Sequence, residues 1–162
     1  MRHRSGFELT LAMKWLADRG VDYIEQPIEE GNEQDLKHLY HNRPLPIYID
    51  ESCRYAEDVA KWASHIDGVN MKLMKCGGIT EALKIIKAAK HYKLKTMIGC
   101  MSESSIAIAA AASISGMIDH IDLDSHYNLN PDPSSGVKMI DGVTIPDLVP
   151  GHGGILKPEY YA

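Results

Sequence analysis

A chain of 162 residues, 44% hydrophobic and 24% charged, has the length and apolar content of one domain with a buried core, which argues against a disordered protein. Its longest apolar stretch, Ile106 to Ile114, is far short of the roughly 20 residues of a bilayer span, and the opening MRHRSGFELT lacks the apolar core of a secretion signal. A net charge of −5 offers no electrostatic footprint for nucleic acid, and Cys53, Cys76 and Cys100, with no CxxC spacing, point to a reducing cytoplasm rather than a disulfide framework or a structural zinc site.

Along the chain, helical and extended patterns alternate. A helix over Phe7 to Arg19 precedes a strand VDYIEQ; NEQDLKHLYHNR is helical and IYIDE extended; YAEDVAKWASHI is helical and GVNMKLM extended. ITEALKIIKAAKHY follows as a helix with Ile79, Leu83, Ile86 and Ala89 or Lys90 at helical spacing. KTMIGC, SSIAIAAAASIS and HIDLD then read as strand, helix and strand. Glu25, Asp50, Lys72, Cys100 and Asp122 close the five strands, spaced 25, 22, 28 and 22 residues apart. Repeats of that length build a parallel sheet with helical crossovers. Polar or reactive strand ends suit a (β/α) barrel with its site at the carboxyl face of the strands. The rival, an open doubly wound sheet, usually carries a Gly-rich phosphate loop, and no such motif occurs. The expected organisation is barrel over residues 1–124 and a wrapping tail over 125–162, with a hairpin of VKMI and VTI about Asp141-Gly142.

Glu25 and Asp50 end adjacent strands, so both carboxylates can reach one hard cation such as Mg²⁺; alternatively each caps the helix that follows. Lys72 lies in a strand that is apolar apart from Asn70. An interior lysine must be paired or have a lowered pKa, which would make it a usable base, unless it snorkels outward. Lys75 falls on the opposite side of the pleat by period-two counting and is assigned to the loop before Gly77-Gly78, with a solvent or substrate-rim role. Asp122 and Asp124 share a strand face and could hold an ammonium group, or simply be solvated acids beginning a turn. Gln26 and Glu51, next to the proposed ligands, are candidates to support them.

In order and spacing, YIEQP, IDES and NMKLMKCGGITEA resemble the muconate-lactonizing-enzyme subgroup of the enolase superfamily, and DLD resembles its dipeptide epimerases. The resemblance runs from about Phe7 to Ile155. It implies a partial TIM-type barrel covering about strands four to eight, with Glu25 and Asp50 as Mg²⁺ ligands, Lys72 as one of two catalytic bases, and Asp122 and Asp124 binding the substrate's α-ammonium. The implied activity is an isomerase, a dipeptide epimerase that moves the proton next to a carboxylate; a Lys base with Mg²⁺ stabilising an ene-diolate is a general pattern of such enzymes. A cycloisomerase or o-succinylbenzoate-synthase-like enzyme would share the metal and lysine positions without needing the DLD pair, and a truncated, inactive remnant is the third reading.

The resemblance also implies a third metal ligand on the third strand, a Lys-x-Lys on the second and an N-terminal capping domain, none of which this sequence contains. The expectation is a partial site, in a chain that self-associates or pairs with a missing N-terminal half. The partner is a small-molecule dipeptide, with no nucleic acid and no membrane.

Overall fold

The computed structural model describes residues 6–147 and 149–161; residues 1–5, read above for a secretion signal, lie outside the described residues. Five strands, β1 (Ile24–Glu25), β2 (Ile47–Ile49), β3 (Gly68–Met71), β4 (Lys95–Ile98) and β5 (His120–Ile121), form one sheet in chain order. Each neighbouring pair is parallel, so each connection must cross over the sheet. Helices make the crossings: α1 (Gly6–Ala17) leads into β1, α2 (Leu36–His41) and α3 (Ala56–Trp62) serve the next two, α4 (Leu73–Cys76) and α5 (Ile79–His91) follow β3, and α6 (Ser105–Ala112) joins β4 to β5. Sequential strand order leaves no switch point, which removes the doubly wound alternative.

Register divides the sheet into two chemically different faces, because paired residues project to the same side. One face holds the pairs Ile24–Ile47, Ile49–Val69, Val69–Thr96, Met71–Ile98 and Ile98–Ile121. It receives the helices: Ile47, Ile49, Val69, Met71 and Ile98 are fully buried, as are Val59, Ala82, Ile85, Ala89 and Ile108. Each large aliphatic side chain removed from water in this way contributes roughly 1.5–3 kcal/mol. On α5 the buried stripe is Ala82, Ile85, Ile86 and Ala89, whereas Leu83, placed on that face by the sequence reading, is exposed.

The second face curls on itself. The Tyr23 ring, just ahead of β1, stacks on Tyr48 with centroids 4.4 Å apart and lies 5.0 Å from the His120 ring of β5; its hydroxyl donates to Met97 Sδ of β4 at 3.4 Å. Contact between the first strand's approach and the last two strands requires a curved wall, as in part of a barrel. Gly68 makes room for it, since a Cβ there would sit 2.6 Å from the Tyr48 ring.

At the amino ends of the strands one device occurs twice. Asp67, preceding β3, accepts the Ile47 N–H of β2 and a bidentate pair from Arg43. Asp119, preceding β5, accepts the Thr96 N–H and hydroxyl of β4 and pairs with Lys95. Each acid ties the start of its own strand to that of the preceding one.

The strands expected over VDYIEQ and HIDLD shrink to two residues each. Both lie at sheet edges, with a partner on one side only. Beyond Asp124, β6 (Ser134–Ser135) pairs antiparallel with β9 (Ile155–Leu156), and β7 (Val137–Ile140) with β8 (Val143–Pro146). Asp141 and Gly142 form the expected turn with φ of 50° and 80°, the positive values that a two-residue hairpin of right-handed twist demands. Among the described residues no helix is long and apolar enough to cross a membrane.

Candidate active site

Glu25 closes β1, Asp50 follows β2 and Lys72 follows β3, all at the carboxyl edge of the curled face. Asp50 is 4% exposed. Its Oδ2 accepts from Lys72 Nζ at 2.6 Å and its Oδ1 from Lys75 Nζ at 2.5 Å. Lys75 also donates to the backbone carbonyls of Asn70, at 3.0 Å, and of Asp50 itself. Asn70 Nδ2 donates to Glu25 Oε1 at 2.8 Å. The sheet thus brings two carboxylates, two ammonium groups and one amide together from three successive strands.

The placement of Lys75 corrects the sequence reading. Pleat counting put it on the far side in a loop with a rim role, but the extended backbone ends at Met71 and Lys72 N-caps the single-turn helix α4. Residues three apart on a helix share a side, so Lys75 returns beside Lys72, its side chain 11% exposed. Gly77, with φ of 86°, stops the turn, as a left-handed C-terminal position favours.

Burial pushes the Asp50 carboxyl up, yet the two ammonium groups outweigh it and leave the group below its ordinary value. Burial likewise works against the Lys72 ammonium, but Asp50 first, then Glu25 and Glu51, raise it above the ordinary lysine range. Lys72 is thus held as an ammonium paired with Asp50. Glu25 is raised by partial burial and by the Asp50 charge, against the opposing Asn70 hydrogen bond.

Gln26 adopts φ of 41°, a conformation held only when the surroundings over-determine it. Its Oε1 accepts the N–H groups of Asp50 and Ser52, at 2.7 and 3.3 Å, and its Nε2 donates to Ile28 O and Ser52 Oγ, both at 2.7 Å. Ser52 passes the chain on to Glu33 at 2.8 Å. Gln26 thereby fixes the turn that carries Asp50. Glu51 is exposed on that turn, and its charge acts on the Lys72 ammonium.

Asp122 continues the β5 ladder through its N–H to Ile98 O at 2.9 Å. Buried Leu123 separates it from Asp124, and both acids are exposed. They line a cavity of about 440 Å³ with Ile121, Leu123 and the hairpin residues Met139, Val143 and Thr144. Glu25, Asp50 and Lys72 do not line it. Sequence reasoning gave no role to buried Glu103, whose Oε1 accepts the Met101 N–H at 2.8 Å, or to Asn70. The signal for Asn70 was present: it stands two residues before Lys72, hence on the same face, in an otherwise apolar strand.

Among the described residues no group of three or more His, Cys, Asp or Glu side chains gathers to hold a metal. Glu25 and Asp50 nevertheless fit part of a Mg²⁺ shell, since that ion is commonly bound through one or two carboxylates with water and substrate oxygens completing it. The model of the Enolase C-terminal domain-like family matches residues 7–160. The chain belongs to this family.

It is 67% identical over 150 residues to a hydrophobic dipeptide epimerase of Flavobacteria bacterium (strain MS024-2A), covering 93% of this chain and 43% of that protein. It is 56% identical over 145 residues to a hydrophobic dipeptide epimerase of Roseobacter litoralis, covering 90% and 42%. Among solved structures, the dipeptide epimerase from Cytophaga hutchinsonii complexed with Mg and D-Ala-L-Val superposes with a TM-score of 0.90 at 26% identity, covering 97% of this chain and 45% of that one. The chain spans less than half the length of the curated relatives it matches.

Proposed function

We propose that this chain supplies the C-terminal part of the barrel of a Mg²⁺-dependent dipeptide epimerase, an isomerase that inverts the carbon next to a carboxylate, with hydrophobic dipeptides as its substrates. The observation that carries the reading is the convergence of Glu25, Asp50 and Lys72 at the carboxyl ends of three successive parallel strands, in a chain 67% identical to a relative named for that activity.

Glu25 and Asp50 would hold the cation, with Gln26 steadying the Asp50 turn. When bound, Mg²⁺ supplies Lewis-acid stabilisation of the negative charge that develops on the substrate carboxylate. Lys72 exchanges the α-proton on one face of that carbon: as an ammonium it delivers the proton, and as a free amine it removes it. Asp122 and Asp124, at the carboxyl end of β5, would hold the α-ammonium. Inversion needs a second base on the opposite face, from the part of the barrel that precedes this chain. The free cysteines, two of them buried, suit a reducing cytoplasm.

The test is α-proton exchange in D₂O with Mg²⁺ over a panel of L,L- and L,D-dipeptides. The chain alone is compared with the chain completed by the N-terminal part of the Flavobacteria relative. Exchange by the completed barrel at an ordinary enzymatic rate of about 10 s⁻¹, with negligible exchange by the chain alone, is expected. Failure of the completed barrel on every dipeptide, with turnover of a cycloisomerase or o-succinylbenzoate-synthase substrate, would overturn the reading.

A further inference from the structure

Asn70 is 1% exposed. Its Nδ2 donates to Glu25 Oε1 at 2.8 Å, which fixes the amide's orientation, because the flipped amide would set an oxygen against a carboxylate. Its Oδ1 then has no hydrogen-bond partner among the described residues. A buried acceptor left unpaired is costly and calls for an explanation.

Gly99, at the end of β4, identifies the neighbour of that oxygen. A Cβ at this position would lie 2.9 Å from Asn70 Nδ2, 3.0 Å from Asn70 Oδ1 and 3.2 Å from Lys72 Cε. The Asn70 amide and the end of the Lys72 chain therefore border the same gap, which stays open because residue 99 has no side chain. Lys72 Nζ now donates to Asp50 Oδ2, while Lys75 occupies Asp50 Oδ1. A divalent cation held by Glu25 and Asp50 would compete with Lys72 for the Asp50 carboxylate. An ammonium carries three donors, and the unpartnered acceptor beside its path is Asn70 Oδ1.

We propose that Asn70 is a two-sided positioning residue: its amide N–H holds Glu25, and its carbonyl oxygen receives the Lys72 ammonium once a divalent cation occupies Asp50. The reaction then starts with Nζ fixed by the sheet instead of swinging free. This inference rests on the epimerase reading only for the identity of the reaction, and its first test does not need that reaction.

Lysine acetylation by acetic anhydride, quantified at Lys72 by mass spectrometry, is measured on the completed protein with and without Mg²⁺. In the unaltered protein Lys72 exchanges one partner for another, so Mg²⁺ leaves its labelling nearly unchanged. In Asn70→Leu, Mg²⁺ is expected to raise Lys72 labelling several-fold, and equal labelling of the two proteins without Mg²⁺ shows that the variant is folded. Gly99→Ala, which wedges a methyl group between amide and lysine, is expected to behave in the same way. The second readout is α-proton exchange from each dipeptide epimer. Asn70→Leu should slow exchange from the epimer served by Lys72 by about 100-fold, the scale of a misplaced general base, and should add no further loss in a Lys72→Ala background.

Labelling that Mg²⁺ raises equally in the unaltered protein and in Asn70→Leu would overturn the proposal. So would equal loss from both epimers that excess Mg²⁺ restores, which would reduce Asn70 to a support for Glu25. The expected labelling with no dipeptide exchange in the unaltered protein would sustain the role of Asn70 and overturn the epimerase reading alone.

Discussion

Lys75 spends its ammonium on three acceptors, Asp50 Oδ1 and the carbonyls of Asp50 and Asn70, and so closes the carboxyl ends of β2 and β3 against each other. Removing it would take a donor from the Asn70 carbonyl and leave half of the Asp50 carboxylate unpaired, while the Asp50 carbonyl keeps the Cys53 N–H at 2.9 Å. Lys72 would still neutralise Asp50, so the full penalty of an isolated buried charge does not apply. Lys75→Met is therefore expected to destabilise the chain by roughly 1–3 kcal/mol, read as a lowered midpoint in urea. A change within about 0.5 kcal/mol, the range of an ordinary surface substitution, would restore Lys75 to the loop role that pleat counting gave it. That counting failed for a physical reason: period two applies only while the backbone is extended, and a single helical turn is too short to leave a periodic mark in the sequence. The place of Glu25, Asp50 and Lys72 at the carboxyl ends of successive strands was legible because each stands as a polar residue at the end of an apolar run. Asn70 carried the same signal without a recognised purpose.

Alternation of strand and helix was readable throughout, because the strands' helix-facing residues are aliphatic and the helices between them carry matching apolar stripes. The edge strands were overestimated, since sequence reports extended propensity while pairing depends on a neighbour. What no motif announced is the repeated aspartate at the amino ends, Asp67 and Asp119, each holding the start of the preceding strand. Lys95 first, and then the Thr96 backbone and hydroxyl, lower the Asp119 carboxyl to about 2. A depressed carboxyl contributes stability that is present above its unfolded pKa and lost as pH falls through its folded pKa. The Asp119 contribution should accordingly fade between about pH 4, the unfolded value, and about pH 2. It is modest in size, because the pair is partly exposed and screened. Urea midpoints followed from pH 6 to pH 2 should fall less steeply below pH 4 for Asp119→Asn than for the unaltered chain. Parallel curves would mean that the Lys95–Asp119 contact contributes nothing in solution.

For the whole molecule the curled sheet leaves two edges. At β5, Thr144 Oγ1 from the hairpin reaches the Leu123 carbonyl at 3.5 Å, yet Ile121 remains 54% exposed. Edges of this kind invite pairing with another chain, and the apolar surface about Ile121, Val143 and Ile145 adds to the tendency. Light scattering over a dilution series is expected to show self-association of the isolated chain, suppressed once the barrel is completed; a persistent monomer at all concentrations would show that the edges are protected.

The most direct measurement of the central claim, that Lys72 works on one face of a substrate held beside Glu25 and Asp50, is epimer-resolved α-proton exchange by Lys72→Ala in the completed barrel. Exchange from one epimer should vanish while exchange from the other, and Mg²⁺-dependent binding of the dipeptide, persist. Undiminished exchange from both epimers would contradict the assignment of Lys72 and with it the account of the site.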